Sequence, residues 1–299
     1  MNVLIAGGTG FIGSALMRSL IADKHRVFIL TRNPLAAHIP IEAKAIEWDG
    51  HTCEGWLDVF EEVDAVVNLV GATIGQPLWT ANRKKILVNS RVDAGMALSQ
   101  AFQKVVKKPP VLVQASGVGY YGVHGPEPLN EDTPPGDDFL ASLAVQWESS
   151  TKVVDSLGVR RVIIRSGIVL GNKGILPLMS LPVRMLAGGP IGNGRQGVSW
   201  IHINDEVRAI RFLLENEKTY GPYNLTAPNP LANADYMRFM AKALRRPYWL
   251  RTPAFAFRLL GEMSTLFLDG QFAIPQRLIN QGFHFDFQSA FDAFKNLIS

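Results

Sequence analysis

The sequence predicts an α/β fold: a doubly wound parallel sheet with a smaller C-terminal lobe. Three observations carry this. The short apolar run Asn2-Val-Leu-Ile-Ala6 leads at once into a glycine-spaced loop, Gly7-Gly-Thr-Gly-Phe-Ile-Gly13. A helical apolar pattern, Phe11, Ile12, Ala15, Leu16 and Leu20, follows directly. Strand-like and helix-like stretches then alternate to about residue 171, which implies right-handed crossovers and parallel pairing. One of the strand-like stretches, residues 64–71, is an apolar run of the kind found in parallel strands covered on both faces.

Taken in order, residues 27–31 form the second strand, 45–48 the third and 64–71 the fourth. A helical crossover over 54–62 precedes the fourth strand. Residues 79–106 make a long helix and 111–116 the fifth strand. A helix over 139–157 leads to the sixth strand, 160–166. The texture changes after Gly171, where glycine and proline become dense through residues 188–195. The expected division is a nucleotide-binding domain over 1–171, to which later segments return, and a lobe over 172–299. Helices are expected to about residue 216 and over 233–244, 253–268 and 288–298, with a small helical domain from about 248. No internal repeat or low-complexity tract interrupts the chain.

With 299 residues, 47% apolar and 19% charged, the composition is that of an ordinary globular protein. The net charge of +4 and the lack of a dense basic run with interleaved aromatics argue against nucleic-acid binding. The single cysteine, Cys53, permits no internal disulfide, fits a reducing compartment and reads as an incidental small apolar residue. No signal peptide precedes the first strand. Residues 253–268, broken by Arg258 and Glu262, are too short and too charged to span a bilayer. A cytoplasmic protein with no membrane partner is expected.

The loop chemistry points to a dinucleotide. Gly7 allows the tight turn, Gly10 lets backbone approach a pyrophosphate, and Gly13 allows close helix–strand packing. The helix N-terminus presents free N–H groups to the phosphates. At the end of the second strand, where an NAD site carries a carboxylate for the ribose 2′-hydroxyl, the chain reads Thr31-Arg32-Asn33. A guanidinium suits a 2′-phosphate, so NADP (NADPH) is favoured over NAD; the bland alternative is a solvated surface arginine. No metal is expected.

Several motifs stand in one order: Gly7 to Gly13, Asn68-Leu-Val-Gly71, Ser116 with Tyr120-Tyr121-Gly122, Arg165-Ser-Gly-Ile-Val-Leu-Gly171, and Trp200-Ile-His-Ile-Asn-Asp205. Together they resemble the extended branch of the short-chain dehydrogenase/reductase superfamily, with its Rossmann-type fold and its nucleotide-sugar epimerases and dehydratases. The doubled tyrosine, residues 188–192 and residues 271–282 narrow the resemblance to an uncharacterised epimerase-like family that ends in a short domain of unknown function. The resemblance implies that Gly7, Thr9, Gly10, Phe11, Ile12 and Gly13 hold the pyrophosphate. It puts Thr31 and Arg32 at the 2′-phosphate, Leu69, Val70 and Gly71 along the adenine–ribose side, Arg91 at the cofactor and Val169 at the nicotinamide end. Leu69, Val70 and Val169 fit plain core equally well. In many relatives the two long helices form a dimer face, so a homodimer is a possible assembly.

The superfamily's chemistry uses a tyrosine, a lysine four residues later and a serine after the fifth strand. Ser116 stands in the serine's place. The helix that should carry the pair reads Phe139-Leu-Ala-Ser-Leu-Ala-Val-Gln-Trp147, and neither Phe139/Leu143 nor Leu140/Ala144 offers an acid. Phe139, Leu143 and Trp147 form an apolar stripe, most simply core. Tyr120 or Tyr121 could supply a phenol instead, and His202 could act near neutral pH; each also reads as a packing residue. Arg165 and Arg195 are candidate anion binders, Asp205 a helix cap, and Glu131-Asp132 a surface turn. Two functions stay open: an NADP-dependent oxidoreductase or epimerase with an altered proton donor, acting on a small carbonyl or nucleotide-sugar-like substrate, or a non-catalytic NADP-binding sensor or scaffold.

Overall fold

A computed structural model describes residues 1–35, 39–75 and 78–298. The core is a parallel sheet of seven strands: β1 (Asn2–Ala6), β2 (Arg26–Thr31), β3 (Ala43–Glu47), β4 (Ala65–Asn68), β5 (Val111–Gly117), β6 (Arg160–Ser166) and β7 (Gly221–Leu225). Their spatial order is β7-β6-β5-β4-β1-β2-β3, and all six pairings are parallel. The doubly wound sheet expected from the sequence is what the chain forms. The order reverses between β1 and β4, so the ends of these strands open the crevice where such sheets bind ligands.

Alternation along the strands explains the two-sided burial. Val3, Ile5, Val27 and Ile29 pack on one face, with Leu16, Leu20, Ile210 and Leu213 above them. Leu4, Ala6, Phe28 and Leu30 pack on the other, against Phe60, Leu98 and Phe102. Among the described residues the helices longer than six residues are α1 (Phe11–Ala22), α2 (Ala81–Lys104), α3 (Phe139–Ser149), α4 (Leu176–Arg184), α5 (Ile203–Glu215), α6 (Asn233–Ala243) and α7 (Ala290–Ile298). Thr80 starts α2 by accepting the Arg83 amide at 3.1 Å, and Asp138 starts α3 by accepting the Ala141 amide at 2.8 Å.

Several elements differ from the sequence expectation. The helix expected over 139–157 ends at Ser149 and is followed by a 3₁₀ turn, Lys152–Leu157. Here Ser150 donates to the Trp147 carbonyl at 2.7 Å, and Ser99 donates to the Ser150 carbonyl, so hydroxyls compete with the helical ladder. The single helix expected over 253–268 is three short pieces, Ala254–Arg258, Gly261–Ser264 and Thr265–Leu268. Gly261, at φ +61°, opens the second of them in the left-handed region, which breaks it from the first. Asp205 is not the cap of α5. His202 caps it, accepting the Asn204 amide at 3.1 Å, while Asp205 accepts the Asp286 and Phe287 amides, each at 2.9 Å. Glu131 is not on a surface turn either. It is buried and accepts the amides of Asn224 and Arg277. Cys53 is buried, as a small apolar residue would be.

The later residues build a second core. Trp200, Tyr236, Met240 and Phe294 pack with Leu170, Leu176 and Val183. Strand β7 returns to the main sheet beside β6, so the two parts share one framework. No helix among the described residues is long and apolar enough to cross a membrane. Phe294 is fully buried, with its ring 5.1 Å from that of Tyr236. Phe294→Ala is expected to destabilise the protein by about 3–5 kcal/mol in urea unfolding, because α7 is part of this core and not an appendage.

Candidate functional site

The glycine loop is held by contacts that exclude side chains. Gly7 has φ +83°, and a Cβ there would meet the Leu69 carbonyl at 2.8 Å. A Cβ on Gly13 would meet the Gly7 carbonyl oxygen at 2.3 Å, so α1 lies directly on the turn. The N-terminus of α1 has no side-chain cap, and Thr9 and Gly10 are exposed beside it, leaving its amides open to a ligand. At the end of β2, Thr31 is half-buried and Arg32 exposed. Leu69 and Val70 each pack half-buried against the core on opposite faces of the sheet, next to exposed Gly71.

Arg91 comes from α2 and is buried. Its two Nη atoms donate to the carbonyls of Leu87 at 3.0 Å and Ala72 at 3.1 Å, and its guanidinium lies 4.8 Å from the Trp147 ring centre. Its Nε has no partner. Burial, helped by Arg83, pulls its pKa down to about 10, so it stays charged at neutral pH. A cradle that a Cβ would fill, an uncapped helix and an orphaned donor together fit a dinucleotide.

Beside this cradle lies a cavity of about 750 Å³. Phe11 and Ile12 of α1 and Val169 form one end. Ser116, Gly117, Val118 and Gly119 follow β5, and Leu140, Leu143, Ala144 and Trp147 come from α3. Phe139 is turned aside onto Trp79, ring centres 5.3 Å apart. The α3 side chains that face the cavity are therefore Leu140, Leu143, Ala144 and Trp147, an apolar and aromatic wall.

One turn further along the same face is Glu148, a residue not singled out from the sequence. The Ser116 hydroxyl donates to Glu148 Oε1 at 2.7 Å. Arg165 grips the same carboxylate, Nε to Oε1 at 2.9 Å and Nη2 to Oε2 at 3.1 Å. Burial would strip the charge from Arg165, but the Glu148 bonds outweigh it and hold the guanidinium above its ordinary range. The signal available in the sequence was the spacing Leu140, Ala144, Glu148, every fourth residue on one helix face.

The other candidates serve this pair or lie elsewhere. Arg165 is not free to bind an anion. Besides Glu148 it donates to the Tyr121 hydroxyl at 3.2 Å, and it stacks 3.4 Å from the centre of the Tyr120 ring. Tyr121 is fully buried, donates to Asn224 Oδ1 at 2.7 Å, and is outside the cavity lining. Burial pushes its phenol up to about 12. Tyr120 also lies outside the lining. His202 is buried, stacks on Phe287 at 3.8 Å and binds Asn296 at 3.2 Å; burial lowers its pKa, which favours the neutral ring that caps α5. Arg195 is exposed and does not line the cavity.

The fold and the crevice define a class: a doubly wound sheet whose glycine turn lies beside a cavity after the fifth strand. A profile of the NAD dependent epimerase/dehydratase family matches residues 3–226, and a domain of unknown function (DUF1731) matches residues 252–297. The chain belongs to that epimerase/dehydratase family. It is 38% identical to the epimerase family protein YfhF of Bacillus subtilis (strain 168), over 100% of this chain and 98% of that one. It also resembles the structure of human epimerase family protein SDR39U1 (isoform2) with NADPH, at TM-score 0.87 and 31% identity, covering 99% of each chain. The UDP-glucose 4-epimerase of Thermus thermophilus, in complex with NAD, shares the fold at TM-score 0.77 and 20% identity, covering 100% of each chain.

A second buried carboxyl supports the cavity wall. Ser166, which lines the cavity, donates to Glu206 Oε1 at 2.6 Å, and Glu206 Oε2 has no partner. Burial raises the Glu206 pKa from 4.5 to about 8, against the opposing Ser166 bond. The folded state thus prefers the protonated acid. Its contribution to stability is complete below about pH 4.5 and is lost as pH rises through about 8. Glu206→Gln, which cannot ionise, is expected to gain Tm relative to the wild type steadily across that window in thermal melts.

Proposed function

We propose that this protein is an NADPH-dependent oxidoreductase or epimerase-like enzyme in which Ser116, held by Glu148, handles the proton. The observation that carries the reading is that Ser116 and the cradle-side residues Phe11, Ile12 and Val169 line one cavity. When bound, the cofactor supplies or accepts a hydride. Residues Gly7 to Gly13 would hold its pyrophosphate, Arg32 with Thr31 the 2′-phosphate, and Arg91 Nε a polar atom near Gly71. The NADPH in the SDR39U1 structure supports the choice of NADP.

The geometry also suggests what Ser116 does. Its hydrogen already points to Glu148. Its oxygen can accept a proton from a substrate hydroxyl while its own proton passes to the carboxylate, a two-atom relay. Tyr120 and Tyr121 hold Arg165, and Arg165 holds Glu148; these are positioning residues.

One observation favours a second reading, a non-catalytic NADP-binding sensor: the cavity face of α3 presents Leu140 and Ala144, neither of which can transfer a proton. Turnover separates the two readings. Ser116→Ala is expected to lower kcat at least about a hundredfold while leaving NADPH affinity intact, which is on the scale of general acid–base catalysis. Tyr121→Phe is expected to leave the pH profile of kcat unchanged, and a lost limb in that variant would restore the phenol as donor. The cofactor choice is tested by tryptophan fluorescence titration. Arg32→Ala is expected to weaken NADPH about tenfold to a hundredfold, the scale of a charge-assisted hydrogen bond, with NADH binding weakly throughout. Equal affinity of both cofactors in the wild type would overturn the 2′-phosphate assignment.

A further inference from the structure

We infer that the substrate end of the cavity takes an uncharged, mainly hydrocarbon ketone or secondary alcohol, and not a nucleotide sugar. This rests on the oxidoreductase reading above and narrows its substrate.

Among the described residues, the cavity wall contains two charged side chains, Arg91 and Asp269. Arg91 spends both Nη atoms on carbonyls and lies beside Gly71, on the cofactor side. Asp269 is an acid, raised by burial and by Asp138, and it repels anions. A nucleotide sugar carries a pyrophosphate, and burying that charge without guanidinium or ammonium partners is strongly unfavourable. The two arginines that could have met it are elsewhere: Arg165 is sealed against Glu148, and Arg195 is outside the lining.

Several polar side chains of the wall are engaged in holding it. Ser199 donates to the Gln271 carbonyl and accepts the Ala273 amide, both at 2.8 Å. Asn233 accepts the Ile191 amide at 2.9 Å, Thr265 donates to the Glu262 carbonyl at 2.9 Å, and Gln271 donates to the Gly122 carbonyl at 2.6 Å. A row of sugar hydroxyls matches such a wall less well than a hydrocarbon body does, because each hydroxyl left unpaired on burial is unfavourable. Gln196 holds the wall in the same way. Its amide nitrogen donates to the carbonyls of Ile191 and Phe267, and its Oε1 is buried away from the open space of the cavity. The surface between Ser116 and the lobe is hydrocarbon: Ile175, Leu178 and Met179 from around α4, and Leu260, Met263 and Leu266 from the broken helical segment. The matching ligand has a reacting oxygen for Ser116 and an apolar body for this surface.

The test uses the full chain saturated with NADPH and the uncharged fluorophore N-phenyl-1-naphthylamine. Saturable probe binding is expected, UDP-glucose at millimolar concentration is not expected to displace it, and Leu178→Asp is expected to weaken it at least about tenfold, the scale of losing one well-buried apolar contact. Leu178 is 57% exposed, so this variant should fold; Met263→Asp, at a buried position, is the second variant. NADPH affinity, measured in the same samples, is expected to stay unchanged in both variants. Displacement by UDP-glucose, absence of saturable binding, or equal binding by Leu178→Asp would overturn the inference. Failure of NADPH to bind the wild type would instead overturn the oxidoreductase reading, whatever the probe shows.

Discussion

Two opposite charges sealed between the sheet and α3 hold the working end of this molecule together. Arg165 leaves β6, Glu148 leaves α3, and their bidentate contact is almost fully buried. Either charge alone would be costly in that place, so each depends on the other and on the hydrogen bonds around them. Those bonds lead outward. Tyr121 joins Arg165 to Asn224 on β7; Asn224 donates to the carbonyls of Leu129 and Ile274, and its backbone amide donates to Glu131. Glu131 then accepts the Arg277 amide. The pair thus ties three strands and α3 to the segment that closes the lobe, and Ser116 is oriented by the same carboxylate.

This arrangement separates polarity by side. Charges and hydrogen bonds gather beneath the cavity, between β5, β6, β7 and α3. The apolar side chains gather above it, from α4 and residues 260–267. A hydroxyl at the boundary between two such regions works in a low dielectric, where its bond to a carboxylate is stronger than in water. The short, broken helices of residues 254–268 suit the upper wall, because each turn can present one apolar side chain without the stiffness of a long helix.

Much of the lower half was legible in the sequence because its signals are local. A strand, glycine loop and helix are adjacent in the chain, and the contacts that require Gly7 and Gly13 lie within the loop or one strand away. The apolar runs of β1, β2, β4 and β5 report two-sided burial directly. The polar site was less legible because its contacts are long-range. Glu131 looked like a turn residue beside two prolines, and only the arrival of residues 224 and 277 makes it a buried acceptor. Asp205 had a capping residue's place in the sequence, but its partners lie some eighty residues later at Asp286 and Phe287. Glu148 was hidden for another reason. It sits at the end of an otherwise apolar helix face, and its two partners come from separate strands.

What the serine can do follows from its neighbours. Leu140, Leu143 and Ala144 of the cavity wall offer no acid, and the group that Ser116 contacts is a carboxylate already held by a guanidinium. A serine whose hydrogen points at a carboxylate presents its oxygen as an acceptor toward the cavity. The geometry therefore matches an alcohol that must lose a proton better than a carbonyl that must gain one. Arg165, bonded to both carboxylate oxygens, fixes the orientation in which Glu148 meets the Ser116 hydroxyl.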